Sequence, residues 1–354
     1  MEYTIELYNI DTITGVFTKI DVLTTFTNFV FFSKLNGLGA LTFNLALQDP
    51  KATQANLYQH KTQVLVKRMG TPVWIGVIDK VTGNYSDVTG TISINCLSYF
   101  AHLYARYTSA SYIQIEVDAG DIVTGLLTYT QALTNGELGI DEGYIETIGT
   151  ISDTMNYANI GQKIVDYSDN IVGFDFELIP IVDANNNLSS VNLNIYKGLG
   201  RFRDDLPSLE LGINVQDVSF ASKGDIFNHV TALGSGTGSS ILTTIVEDIY
   251  SEAGFTRREE ILKFSDISVN TTLENKADLF LTDNKVQHYD INITLKPDSV
   301  LGYGIFSLGD VLKLNLVKDN SIINFHGTAR VVELRVSIDD TGTEYITPKL
   351  QYVA

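Results

Sequence analysis

ALTFNLAL, residues 40–47, decides the fold. Leu41, Phe43, Leu45 and Leu47 fall on one face, and Thr42 and Asn44 on the other. That period of two marks a half-buried strand. After Asp49-Pro50 come two more strand-like runs, Val64–Met69 and Val73–Val81, separated by Gly70-Thr71-Pro72. A polar turn over Gly83–Gly90 leads into a last alternating run, Thr91–Leu97.

A similar order returns near the C-terminus. Ile291-Asn292-Ile293-Thr294-Leu295 matches Phe43-Asn44-Leu45-Ala46-Leu47, and Val311-Leu312 matches Val64-Leu65. Gly327 stands before Val331-Val332 much as Gly76 stands inside Trp74–Ile78, and Glu344–Leu350 answers Thr91–Leu97. A glycine inside a strand marks a bulge or tight bend, which a small closed barrel needs. The agreement predicts two related small β-barrels, over about 41–97 and 289–350, that superpose strand for strand.

Composition limits what the chain does. At 354 residues it holds two to four domains. No apolar run is long enough for a transmembrane helix, and Met1-Glu2-Tyr3-Thr4 does not open a signal peptide. The single cysteine, Cys96, lies in a strand and reads as a buried structural thiol of a protein made in a reducing cytoplasm. A net charge of −18 repels phosphate backbones and argues against nucleic-acid binding.

Along the chain, Tyr3–Asn9 and Val16–Leu23 read as a hairpin, and Asn28–Lys34 as a third strand closed by Asn36-Gly37-Leu38-Gly39. A short helix over Ser98–Tyr107 ends a first β-barrel domain, 1–107. Residues 108–210 form an α+β insert domain. In it, Asp118 caps a helix carrying Ile122, Val123, Leu126 and Leu127, and Asn159 and Gln162 resemble a capping box. Residues 211–354 form the second β-barrel, interrupted over about 239–285 by a helical insert. One helix there carries Ile241, Leu242, Ile245, Ile249 and Tyr250, and another, over Leu273–Leu281, is boxed by Thr271 and Glu274. The fold class is mainly β with α+β inserts.

Constellations for chemistry fail on spacing. Asp183-Ala184-Asn185-Asn186-Asn187 begins like a calcium loop, but Leu188 and Asn194 replace the glycine and glutamate such a loop needs, so it reads as a hairpin turn. Gly234–Ser240 has no following lysine and reads as a mobile loop. His60, His102, His229, His288 and His326 show no zinc-motif spacing, and Asp204-Asp205 and Glu259-Glu260 read as solvated pairs. No catalytic, cofactor-binding or metal-binding residue is assigned, no cofactor is expected, and the chain reads as no enzyme.

The order of GALTFNLAL (39–47), VLVKRM (64–69), WIGVI (74–78) and ISINCLSYFAHLYAR (92–106) resembles the opening of phage tail baseplate-hub proteins, also called tail-tip hub proteins. SFASKGDIFNHVTALG (219–234) is similar to their N-x-V-x-x-x-G strand, and FSLGDVLKL (306–314) to their G-D strand. The resemblance covers nearly the whole chain. It implies a homotrimeric ring at the distal end of the tail tube, in the virion, that links a sixfold tube to a threefold tip and passes DNA. It implies as partners a distal-tail protein, a tape-measure protein and spike or fibre proteins; the net charge and the lack of a long apolar run lead to an expectation of no stable nucleic-acid binding and no membrane insertion. Two rivals remain open at this point: a distal-tail or fibre adaptor that binds host carbohydrate, and a cell-wall hydrolase of the tail.

Overall fold

A computed structural model describes residues 2–86, 89–265, 267–319, 321–339 and 341–353. The fold is mainly β, with helices in inserts. The first half carries β1 (Tyr3–Ile10), β2 (Phe17–Leu23), β3 (Thr27–Lys34), β4 (Ala40–Ala46), β5 (Gln63–Arg68), β6 (Thr71–Tyr85) and β7 (Gly90–Ser98). They pair in the order β2-β1-β5-β6-β7-β4-β3. Every strand sends side chains into one core, including Ile5, Leu23, Phe31, Phe43, Val66, Trp74 and Cys96. The rings of Tyr3 and Phe29 meet across it at 5.2 Å, so the sheet curls round its own interior. β6 runs four residues beyond its expected end at Val81, because Thr82–Tyr85 stay paired with β7.

The short helix α1 (Ala101–Tyr104) leads into the α+β insert. This holds β8 (Tyr112–Asp118), α2 (Ala119–Gln131), β9 (Ile140–Ile145), β10 (Thr150–Met155), α3 (Ile160–Asp166), β11 (Asp175–Val182) and β12 (Leu188–Tyr196). Asp118 caps α2 through Gly120 N at 2.9 Å, and its other oxygen accepts from Ile148 and Gly149. Asn159 accepts from Gln162 N at 3.0 Å, but the Gln162 amide turns to Asp166, so the box is only half made. Ile122, Leu126, Ile160, Ile164 and Leu193 pack onto Tyr8, Leu65 and Ile75 from the back of the first sheet. β5 is therefore covered on both faces, which is why its sequence runs apolar without alternation.

The second half contains β13 (Leu209–Glu210), β14 (Val215–Lys223), β15 (His229–Leu233), β16 (Thr243–Glu247), α4 (Ile249–Phe255), β17 (Glu259–Lys263), α5 (Asn270–Asn284), β18 (His288–Leu295), β19 (Val311–Val317), β20 (Asn324–Ile338) and β21 (Glu344–Val353). Its strands pair β14-β18-β21-β20-β19-β13 around Ile291, Ile293, Leu314, Val331 and Leu350. Here two expectations are corrected. Residues 243–247 form a strand where a helix was expected, because Ile241, Ile245 and Ile249 satisfy a period of two as well as a helical one, and the β-branched run Thr243–Val246 favours the strand. The insert is thus a three-stranded sheet, β16-β15-β17, with α4 and α5 rather than mostly helix. Val269, not Thr271, stands at the start of α5 and makes no side-chain cap.

The two halves share one ladder. β4-β7-β6-β5 and β18-β21-β20-β19 have the same order and antiparallel sense. The third strand in each is 15 residues long and bulged at the same depth, at Ile78/Lys80 and at Val331/Glu333. Leu41 faces Cys96 as Ile291 faces Leu350, so the repeat is offset by two residues from the match read in the sequence, and the core face is unchanged. Ala329, not Gly327, occupies the place of Gly76. A Cβ at Gly76 would lie 2.1 Å from the Leu97 carbonyl oxygen, whereas Gly327 has open space and a φ of +109°.

Buried polar groups tie the parts together. Asp175 accepts from Asn36 in the first half, from Leu199 N and from Arg330 in the second half. Glu344 on β21 receives two hydrogen bonds from Arg68 on β5, at 2.8 and 2.9 Å, and one from Tyr3. Burial pushes the Glu344 carboxyl up, but the Arg68 and Tyr3 hydrogen bonds outweigh it and hold the group below its usual 4.5. A carboxyl depressed in the folded state stabilises it above pH 4.5, and that contribution disappears as pH falls through the folded value. Glu344→Gln is therefore expected to cost about 2 kcal/mol at pH 7. Thermal melts of the variant and the parent should converge in acid.

Candidate assembly surfaces

β20 changes partners at its bulge. Residues 324–330 pair with β19, and Glu333–Ser337 pair with Lys34–Val30 of β3. A bulge bends and twists a strand, and beyond this one β20 keeps β21 on one edge while β3 of the other half replaces β19 on the opposite edge. That joint, β20 to β3, makes one continuous sheet of the two halves.

β6 is built like β20 but ends differently. Residues 71–77 pair with β5, and residues 80–85 pair, among the described residues, with β7 alone. The counterpart of β3 is β14: Phe31 lies opposite Leu41, and Phe220 opposite Ile291. The outer edge of β14 over 216–222 has no second strand among the described residues. Each half thus has one projecting strand end and one receiving edge, and only one projecting end and one receiving edge are matched within the chain. The unmatched segments are exposed along Thr82–Tyr85 and at Ser219, Ala221 and Ser222. Unpaired edges are templates for pairing with another strand.

The candidates for chemistry are placed as follows. Asp183 Oδ1 accepts from Asn185 N and Asn187 N at 2.9 and 2.8 Å, the expected hairpin turn. Gly234–Ser240 links β15 to β16, closed by reciprocal Gly234–Leu242 and Leu242–Ser235 backbone bonds. Asp205 pairs with Arg203 at 2.8 Å and Glu259 with Arg257 at 2.6 Å, both on the surface. Asp310 of the G-D strand accepts from Arg201 N and Ser307 N. Asn228 of N-x-V-x-x-x-G is buried, donates to the Thr256 carbonyl and accepts from Arg258 N. These two motifs read as structural clamps. What the spacing of histidines missed is that His229 meets Glu247 and Glu252, residues supplied by three different elements.

No family model and no curated protein matches the chain. Solved structures do. The chain is similar to a tail protein from Neisseria meningitidis (TM-score 0.61, 14% identity, 99% of this chain and 97% of that one). It is also similar to the 43 kDa tail protein of prophage MuSo2 from Shewanella oneidensis (0.63, 14%, 98% and 97%). A third is an E. coli type VI secretion component, described as similar to the phage T4 tail proteins gp27 and gp5 (0.53, 10%, 92% and 73%). The chain has the fold of these phage tail and type VI secretion proteins over nearly its whole length.

Proposed function

We propose that this chain is a structural component of a phage tail tip, a baseplate hub that assembles as a trimeric ring. The carrying observation is the repeated ladder with one joint made and one left open. If the projecting end of β6 pairs with β14 of the next copy as β20 pairs with β3, three chains close a head-to-tail ring of six like units. Such a ring matches a sixfold tube on one face and a threefold tip on the other. Three copies at −18 each carry −54, a net charge that disfavours holding DNA as it passes. No reaction is assigned to the chain. The distal-tail, tape-measure and spike or fibre proteins of the virion tail are its proposed neighbours, and domain limits near 107 and 210 are proposed with them.

Electron microscopy of the purified protein and of intact tails tests the reading. Threefold rings with six lobes and a central channel are expected. Twofold particles, or a monomer in solution together with tails that lack such a ring, would overturn it.

A further inference from the structure

We infer that His229, Glu247 and Glu252 form a binding site for one divalent metal ion of the zinc class, which staples the small insert between β14 and β18. The side chains come from β15, β16 and α4. His229 Nδ1 lies 3.0 Å from Glu247 Oε2 and 3.5 Å from Glu252 Oε1. Ligand atoms about 2.0–2.2 Å from a tetrahedral zinc stand about 3.3–3.5 Å from one another, and the three here all lie within 4.8 Å of one another, so small side-chain shifts bring them onto one ion. Water completes the fourth position on the side of Glu247, the more exposed carboxylate.

Two further observations point to a cation. Glu252 Oε1 is buried and has no hydrogen-bond donor. A buried carboxylate oxygen without a donor is costly, and a metal ion supplies what the protein does not. Three carboxylates, Glu247, Glu252 and, across the ladder, Glu259, stand by His229 together with the guanidinium of Arg257. The insert also has reason to need a staple. Its own core is Val230, Ala232, Ile267, Leu273, Ala277 and Leu281. Units this small draw on metals or disulfides for stability, and the one cysteine of the chain lies in β7.

Arg257 works as a gate. Its Nη2 lies 3.0 Å from His229 Nε2, and a guanidinium only donates. Without metal, Nε2 therefore accepts, and Nδ1–H donates to Glu247. The metal takes Nδ1, the ring proton moves to Nε2, and Arg257 swings out on its Glu259 partner. The ring stays neutral, and no net proton is released. Imidazole with two carboxylates favours zinc over magnesium.

Calorimetric titration of the chelator-treated full chain with zinc chloride tests the site, independently of any ring. One zinc per chain is expected, uncontested by equimolar magnesium. His229→Gln and Glu252→Gln should each weaken binding at least about tenfold, while Arg257→Gln, which removes the competing donor, should tighten it by about tenfold. The absence of saturable binding would overturn the site, as would parent-like affinity in either ligand variant. Unchanged or weaker binding by Arg257→Gln would overturn the gate, and that arm still reads if a ligand variant fails to fold.

Discussion

Thr82→Cys combined with Ala221→Cys is expected to give covalent trimers on oxidation, while neither single variant does. The pairing follows from the joint within the chain. Arg335 faces Phe32 there, and the bulges and ladders place Thr82 where Arg335 stands and Ala221 where Phe32 stands. Facing residues of an antiparallel pair have Cα atoms about 4.5–5.5 Å apart, within the span of a disulfide. Both positions are exposed in the single chain. Cys96 does not compete, because it is buried and burial pushes its thiol far up. Non-reducing electrophoresis followed by mass measurement reads the outcome. Closed trimers support the ring, and open ladders of indefinite length would show an interface that does not close. Monomers under oxidation at high concentration would count against the register.

Gly309→Ala is expected to cost about 4 kcal/mol, from a left-handed backbone plus a backbone collision. Gly309 has a φ of +82°, and a Cβ there would sit 2.2 Å from the Leu199 carbonyl oxygen. Gly200, with a φ of +84°, presses back on the same spot, where its own Cβ would lie 2.1 Å from the Gly309 carbonyl carbon. The contact seats the exit of the α+β insert on the second half. The next residue, Asp310, binds Arg201 N and so fixes the same crossing. Gly304→Ala is the control: its φ is +86° but nothing lies within 4 Å, so only the backbone term of about 1–2 kcal/mol applies. Thermal melts should separate the two, and hydrogen exchange should show loosening over 199–203 and 307–312 in Gly309→Ala alone. Equal effects would mean that the close approach carries no weight.

Much of the fold was legible because strands announce themselves locally. The alternation in ALTFNLAL and the turn at Asp183 depend only on near neighbours, and they lie where expected. β9, β10 and β17 were not read, since IDEGYI, TISDTM and EEILK carry too few apolar residues for a pattern. The repeat was legible in order but not in register. Apolar residues two apart are interchangeable in a pattern of period two, and only the hydrogen-bonded partners tell Leu41 from Phe43 as the mate of Ile291.

By itself, the sequence determined that this is an acidic, sheet-rich chain with a repeated strand order. Those properties sum over residues or over short windows. Only the tertiary structure decided which edges are used. That β20 reaches β3 while the like end of β6 meets only β7 among the described residues, and that His229 meets two glutamates 18 and 23 positions away, depends on how distant segments pack. A backbone edge has the same donors and acceptors whatever its side chains, so its pairing leaves no local mark in the sequence.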